Sequence, residues 1–437
     1  MADLKKDYLE LYDHAPEAER FPLVKKFMDT EPLPFFKQLR EQRPILVTPL
    51  CTLVSRFDDV RDLLQMPLIF TVSLYKSKMG DYLMTHDDDA VHDREKAIMQ
   101  AMLNRDDIPA VRQIVSRNAS RILDGAKGQL EVAYGYCREV PASLVQDYFG
   151  FDHVESKDLI EWSYWTQYNS FHNHFFNLRS EKESSYFSQK HDEASKKFAA
   201  YMIGFILRRT AVATAEKATG FFLLRMLHRL VGSKKYELKD DIVTRMVRTC
   251  YADELRFSIQ RLGLNAGGLL IGAIETTSQA VAQVIQMLLQ DPDRCQMAQK
   301  AARLESTDEF DGIVWEALRF VPIAPFLFRK TASPYTLAKG TDRETAIPSG
   351  TNVLALTQSA MFDSYAFENP DQFIPKRNWY HHFNFGFGSH ECLGKHVGMV
   401  MIPEMVRQVF LRPDLKAKSN INYKNGPFPE EFFLSWT

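Results

Sequence analysis

Phe385-Gly386-Phe387-Gly388-Ser389-His390-Glu391-Cys392-Leu393-Gly394 runs straight into an apolar, helix-like stretch from Val397 to Phe410. The pattern is Phe-x-x-Gly-x-x-x-Cys-x-Gly, a loop that presents one sulfur to a metal and then becomes a helix. A free cysteine is mostly protonated near neutrality, so something must favour the thiolate. A bound metal does most of that. Backbone N–H groups at the start of the following helix, with the dipole behind them, add hydrogen bonds to sulfur. Gly386, Gly388 and Gly394 admit backbone conformations that side chains forbid and let the main chain pass close to a flat ligand. Phe385 is placed to pack beside the sulfur and keep water out.

The composition narrows the field. The chain has 437 residues, 45% hydrophobic and 25% charged, ordinary for a folded protein with a large core. No Pro/Ser/Gly-rich linker, repeat or low-complexity block divides it. A single domain over 1–437 is expected, with about 1–30 as an N-terminal extension. A net charge of −2 gives no global attraction to nucleic acid or anionic membrane. Five scattered cysteines (Cys51, Cys137, Cys250, Cys295, Cys392) do not form a disulfide framework and suit a reducing cytoplasm. Met1 to Lys6 is polar, with no apolar run of signal-peptide length and nothing near the ~20 residues of a membrane span. No membrane anchor is expected.

Along the chain, Pro32-Leu33-Pro34 precedes a helical segment, Phe35 to Arg40. Ile45–Thr48 and Cys51–Ser55 read as a hairpin broken by Pro49, and Asp58 to Leu64 looks helical. Residues 66–90 show no clean period and read as a long loop. The acidic run Asp87-Asp88-Asp89 suits the start of a helix reaching about Leu103, with His92 and Lys96 on one face. Two helices joined by a polar connector fill about 160–215, dense in aromatics from Trp162 to Phe176. Arg256 to Gln290 is the longest helical candidate, apolar nearly all round and therefore central. Gly263, Gly267, Gly268 and Gly272 each cost about 1 kcal/mol there against Ala; close passage over a flat ligand supplies a reason. Asp291-Pro292-Asp293 ends this helix. Small strands are expected at 335–337 and 346–356, and residues 428–436 are strand-like.

These features together resemble the cytochrome P450 family. Phe385 to Gly394 resembles its haem-ligand signature. Gly272-Ala273-Ile274-Glu275-Thr276-Thr277 resembles its oxygen-binding segment, with Ala273 where Gly is usual. Glu316-Ala317-Leu318-Arg319 and Phe373-Ile374-Pro375-Lys376-Arg377 resemble its Glu-x-x-Arg and Phe-x-Pro-x-Arg motifs. The resemblance covers roughly residues 30–437 and is thin between about 110 and 250. It implies a mainly α fold with small β-sheets, haem b being sandwiched between the long central helix and the helix after the Cys392 loop. Cys392 is then the iron ligand, and Phe385, Gly386, Gly394 and Ala273 border the haem. His92, Lys96, Arg329 and His390 reach its propionates, Lys96 replacing the usual Arg with a point charge that lacks the bidentate fork. Glu316, Arg319 and Arg377 brace the segment that carries Cys392. The helices at about 160–215 form a lid. Phe70, Val72, Tyr75, Phe171, Phe175, Ile323 and Phe326 are pocket candidates, ordinary packing being the competing reading.

Glu275 and Thr276 are the catalytic candidates. Activating dioxygen needs protons at the outer oxygen, and general acid–base work needs groups within hydrogen-bond reach, directly or through one water. The competing readings are a structural salt bridge for Glu275 and a back-bond to the helix carbonyl for Thr276. The implied activity is that of a haem-thiolate monooxygenase. It uses O2 and electrons from NAD(P)H, delivered by a ferredoxin or flavodoxin with its reductase, to hydroxylate a hydrophobic substrate. The thiolate favours O–O cleavage. Lys376, Arg377 and Lys395 form a candidate docking patch for the electron carrier. A medium- or long-chain fatty acid is favoured as substrate over a terpenoid or aromatic natural product. A peroxide-driven peroxygenase or rearranging enzyme is the alternative, disfavoured by the Glu275–Thr276 pair; a haem gas sensor is more remote. The chain is expected to act as a monomer.

Overall fold

The computed structural model describes residues 6–231, 239–250, 253–378 and 381–437, with the side chains of 212–231 and 253 left aside. The polar stretch Met1–Lys5 lies outside these residues. Helices dominate, and seven position the site: α1 (Ala90–Met102), α2 (Ser156–His172), α3 (Glu181–Val231), α4 (Ile259–Ala273), α5 (Glu275–Leu289), α6 (Asp308–Phe320) and α7 (Lys395–Phe410). The main apolar core gathers around α4, α5 and α7, with Tyr136, Phe205, Ile285 and Val406 at its centre. A second cluster joins the N-terminal helices to the largest sheet through Phe27, Phe35, Leu53 and Phe328.

That sheet has five strands in the order Ile45–Val47, Thr52–Val54, Asn352–Ala355, Leu327–Thr331, Phe70–Thr71. The expected hairpin is present, with Ile45 opposite Val54 and Val47 opposite Thr52. Strand Leu327–Thr331 carries Arg329, which sits opposite Val353. Tyr335–Leu337 and Thr345–Ile347 pair as a separate hairpin. Phe433–Ser435 pairs with Gln129–Glu131 and Lys416–Ala417.

Two expectations are corrected. Residues 66–90 are not one long loop: they contain strand Phe70–Thr71, helix Ser73–Met79 and the 3-10 turn Leu83–Thr85. Each piece is too short to leave a period in the sequence. The long central helix is divided at Ile274 (φ −88°, ψ −66°) into α4 and α5. Two local causes coincide there. Gly272 and the β-branched run Ile274, Thr276, Thr277 weaken the helix. The Thr276 hydroxyl also donates to the Gly272 carbonyl at 2.6 Å, competing with the backbone donor for that acceptor.

The α4 glycines answer to protein neighbours. A Cβ on Gly263 would meet Ile206 at 3.6 Å, and one on Gly267 would press on Phe198 at 3.1 Å. At Gly268 it would overlap the Tyr82 ring, whereas Gly272 faces open space. Gly267 and Gly268 therefore let α3 and Tyr82 approach, a Cβ at Gly263 would fit in ordinary contact, and Gly272 leaves a bare patch beside Thr276.

Candidate active site

Asp89 caps α1 by accepting from the amides of Val91 and His92, each at 2.8 Å. This fixes His92 and Lys96 on the face turned to the cysteine loop. The loop begins with two left-handed glycines, Gly386 (φ 72°) and Gly388 (φ 73°). A Cβ on Gly388 would lie 2.6 Å from the Leu64 carbonyl oxygen, so both conformation and space demand glycine. Gly394 differs: its φ is an ordinary −84°. It brings its own amide to the Cys392 sulfur, and that hydrogen bond favours the thiolate while burial pushes the thiol up. The Cys392 amide donates to the Phe385 carbonyl at 2.8 Å, closing the loop. The Phe385 ring rests on Gly398 and lies 5.5 Å from Trp315. Cys392 keeps an accessible surface and borders a small cavity of about 170 Å³ with Leu103, Arg105 and Val397.

Around this loop the structure gathers cationic and hydrogen-bonding groups. Arg329 is 4% exposed. Its guanidinium donates to the Phe328 carbonyl at 2.9 Å and pairs with the Tyr75 phenol, but forms no ion pair with a carboxylate among the described residues. The His92 ring nitrogens face the carbonyls of Leu83 and Ser389, both at 3.1 Å. Lys96 is buried and donates to the Ser389 carbonyl and, at 2.9 Å, to that of Glu391. The His390 ring centre lies 4.4 Å from that of His92, and neither of its buried nitrogens has a hydrogen-bond partner. Burial, with Arg329, His92 and Lys96 nearby, pushes the His390 pKa down. A buried, unpaired guanidinium is costly, and orphaned imidazole nitrogens call for a partner. Ligand atoms of Asp88, His92 and His390 lie within 4.8 Å of one another, but Arg329 and Lys96 beside them disfavour a bare cation. The donor set suits a ligand with two carboxylates and a metal for the Cys392 sulfur, as haem has.

Glu316 holds the loop's supporting segment. Its carboxylate accepts from Arg319 Nη2 (2.7 Å) and Nε (3.0 Å), from Arg377 Nε (3.0 Å) and from the Ile374 amide (2.9 Å). Arg319 continues to the carbonyls of Met361 and Gln372, and Arg377 to those of Glu368, Asn369 and Gln372. Gly312 lets α6 approach this segment, since a Cβ there would lie 2.5 Å from the Pro375 carbonyl oxygen. Arg377 is therefore engaged inward and does not belong to the suggested docking patch. Lys395 pairs with Glu391 at 2.6 Å.

Glu275 is fully buried and receives Arg138 Nε at 3.0 Å on both oxygens. Burial pushes its carboxyl up to about 7, although Arg138 pulls the other way. Arg138 also reaches Glu430 at 3.4 Å, and the Tyr164 phenol donates to Glu430 at 2.9 Å. Arg138, Tyr164 and Glu430 border a cavity of about 340 Å³ with Lys157, Asp158 and Glu161. Both competing readings are thus realised in the geometry: Glu275 is ion-paired and Thr276 is back-bonded. Because its proton goes to Gly272, the Thr276 hydroxyl offers acceptor lone pairs to anything beside it. Arg138, Glu430 and Tyr164 escaped the sequence reading because no local pattern marks a single partner more than a hundred residues away.

A cavity of about 660 Å³ lies between α2, α3, α4 and the 78–82 segment. Its walls are mainly apolar, including Trp162, Phe198, Met202, Ile206, Leu264 and Ile271. Tyr82 also borders it, and lies close enough to Cys392 for a thiolate there to raise the phenol pKa. The aromatic helices at about 160–215 do line this cavity, whereas the named pocket candidates lie elsewhere than on its walls. Phe70 lies in the sheet, 5.5 Å from Tyr335. Val72 is buried with its amide on Asp87, and Phe171 and Phe326 join the second core. Phe175 is exposed, and Ile323 packs on the main core. Tyr75 stacks on Phe328 at 4.2 Å. The strand carrying Arg329 presents Phe328 to these aromatics, and they satisfy one another.

A family model for cytochrome P450 matches residues 140–425. The chain is 31% identical over 191 residues to the cytochrome P450 monooxygenase PikC of Streptomyces venezuelae, covering 43% of this chain and 44% of that protein. It is 29% identical over 187 residues to a steroid C26-monooxygenase of Mycobacterium tuberculosis, covering 43% and 47%. These matches span about half the length of the curated relatives. Among solved structures, cytochrome P450 CYP109Q5 from Chondromyces apiculatus superposes with a TM-score of 0.72 at 17% identity, over 94% of this chain and 96% of that one. The CYP116B5 haem domain from Acinetobacter radioresistens gives 0.75 at 18%, over 98% and 100%. The family model and the shared fold agree: this chain belongs to the cytochrome P450 family.

Proposed function

We propose that the chain is a haem-thiolate monooxygenase that hydroxylates a lipophilic small molecule. The observation that carries this is the convergence of Arg329, His92, Lys96 and His390 beside a cysteine whose sulfur accepts an amide hydrogen bond. Cys392 would ligate the iron, and the four basic side chains would hold the propionates. When bound, the haem supplies dioxygen activation and transfer of one oxygen atom, at the expense of two electrons and two protons. The protein positions and protonates. Glu275 receives protons from the Arg138–Glu430 side, where a cavity borders the surface residues Lys157 and Glu161. The Thr276 hydroxyl, which donates to the Gly272 carbonyl, offers its lone pairs to a donor bound beside the bare Gly272. The apolar cavity along α4 holds the substrate and excludes water. Electrons come from NAD(P)H through a ferredoxin or flavodoxin with its reductase. The substrate class is a medium- or long-chain fatty acid.

The test is spectroscopic and then catalytic. Reduced, haem-loaded protein under carbon monoxide should show the long-wavelength band of a thiolate-ligated complex, and Cys392→His should lose it. NAD(P)H with ferredoxin and reductase should then drive hydroxylation of a lipophile. Turnover with peroxide alone, and none with the reductase system, would replace this reading with a peroxygenase.

A further inference from the structure

The cavity along α4 is apolar over most of its wall but has one cationic corner. Lys78 and His191 both border it, with Ser195 and Thr166 beside them. The Lys78 ammonium is half-buried, and burial pushes its pKa down. Its one hydrogen bond is a long 3.4 Å contact to the Asn169 side-chain oxygen, and it forms no ion pair with a carboxylate among the described residues. The Asn169 oxygen is already shared with Asn173 at 2.9 Å and Ser188 at 3.4 Å. Burial lowers the His191 pKa, Asp192 opposes this and Lys78 adds to it; among the described residues its ring lies against the Ser195 hydroxyl, at 3.4 Å or more. An ammonium has three donors, so Lys78 keeps donor capacity at the edge of a mainly apolar cavity.

The opposite end is different. Ile203, Leu207 and Ile259 border the cavity and are 64%, 65% and 49% exposed. Helix α3 runs antiparallel to α4: Ile206 meets Gly263, and Phe198 meets Gly267. Ser195 and His191 come earlier on α3, so the cationic corner lies toward Ile271 and Thr276. The exposed aliphatic residues form the mouth. Between Ile259 and Ile271 the cavity follows about 18 Å of helix axis, at 1.5 Å per residue.

We propose that this cavity binds a single-chain aliphatic carboxylate, head inward at Lys78 with His191 and Ser195 as auxiliary partners, and tail toward the Ile203–Ile259 mouth. One ammonium matches one negative charge, which selects a monoanion. A half-buried cation gains most from a partner that shares its desolvated corner. This deepens the lipophile reading of the site and rests on it.

The test is calorimetric titration of the haem-loaded protein with tetradecanoate and with tetradecan-1-ol, which keeps the chain and removes the charge. The acid should bind at least about tenfold more tightly. Lys78→Met should erase that preference by weakening the acid, while the alcohol still binds; Lys78→Arg should retain it. An unchanged carbon monoxide spectrum certifies that each variant is folded. Equal binding of acid and alcohol by the wild type, or an acid preference that survives Lys78→Met, overturns the proposal but leaves the lipophile reading intact. Binding of neither compound overturns both.

Discussion

Arg329 offers a test in which cofactor binding should fall while the stability of the haem-free protein changes little. The guanidinium is almost wholly buried and bonds to the Phe328 carbonyl and the Tyr75 phenol, with no carboxylate ion pair among the described residues. Replacing buried charge with an apolar side chain of similar volume commonly stabilises by about 1–4 kcal/mol. Arg329→Met also strands the Tyr75 phenol, which takes back about 1–3 kcal/mol. The haem-free variant should therefore lose no more than about 2 kcal/mol against haem-free wild type, by urea unfolding followed through tryptophan fluorescence. Haem binding should weaken. A charged hydrogen bond contributes about 1.5–3 kcal/mol, or roughly 10- to 150-fold in affinity. Haem transfer to an excess of apo-globin measures this. Loss of more than about 2 kcal/mol from the haem-free variant would show that Arg329 is already satisfied by the protein. An unchanged transfer rate would remove it from the propionate site.

Glu316→Ala leaves two arginines without their carboxylate, at a cost of about 3–5 kcal/mol, with about 1–3 more for the Ile374 amide. Against a total of about 5–15 kcal/mol this should collapse the yield of haem-loaded protein; a variant within about 1 kcal/mol of wild type in denaturant would refute the brace. Gly388→Ala must hold φ 73° and displace the Leu64 carbonyl, so about 1–2 kcal/mol of backbone strain enters the cysteine loop. Haem should dissociate faster, and an unchanged rate counts against the close packing. Thr276→Val removes the hydroxyl at constant shape. It should divert reductant from product to hydrogen peroxide, measured as product formed per NAD(P)H consumed; an unchanged ratio excludes the hydroxyl from proton delivery. For Glu275, burial raises the carboxyl from 4.5 to about 7. The fold takes up a proton across that interval, and the resulting stabilisation is complete below about pH 4.5 and lost as pH rises through about 7, on the order of 3 kcal/mol. Glu275→Gln should flatten the melting temperature over that range, and parallel profiles for variant and wild type would contradict the shift.

The cysteine loop was legible because its chemistry is local. A thiolate, the glycines that give it backbone room and the helix behind it lie within a few residues, and each leaves a mark. Asp89 and the His92–Lys96 face were legible for the same reason, through capping and helical spacing. Arg329 came from the family resemblance. That it sits in a strand presenting Phe328 to Tyr75 came only with the fold. The pocket failed for a physical reason. Aromatics at 70–75 and 171–176 are equally suited to lining a cavity or to packing on one another, and composition does not distinguish the two. Their partner, Phe328, is more than 150 residues away. Tertiary packing consumed them, and the cavity formed where α3 crosses α4.

The glycines of α4 show what a sequence states and what it withholds. Four in ten residues of a buried helix demand a close approach, and a close approach is what the structure contains. The approaching groups are Ile206, Phe198 and Tyr82, and no feature within 256–290 could have named them. The same residues then acquire a second consequence. Gly267 and Gly268 border the cavity, so the missing side chains that let Phe198 of α3 and Tyr82 come near also leave volume for a substrate. A bulkier α4 would hold α3 further off and fill part of the gap with its own side chains. The helical penalty of about 1 kcal/mol per glycine is thus tied to binding capacity as well as to packing. It is concentrated on the stretch leading to Gly272, where the helix breaks and Thr276 turns its lone pairs outward.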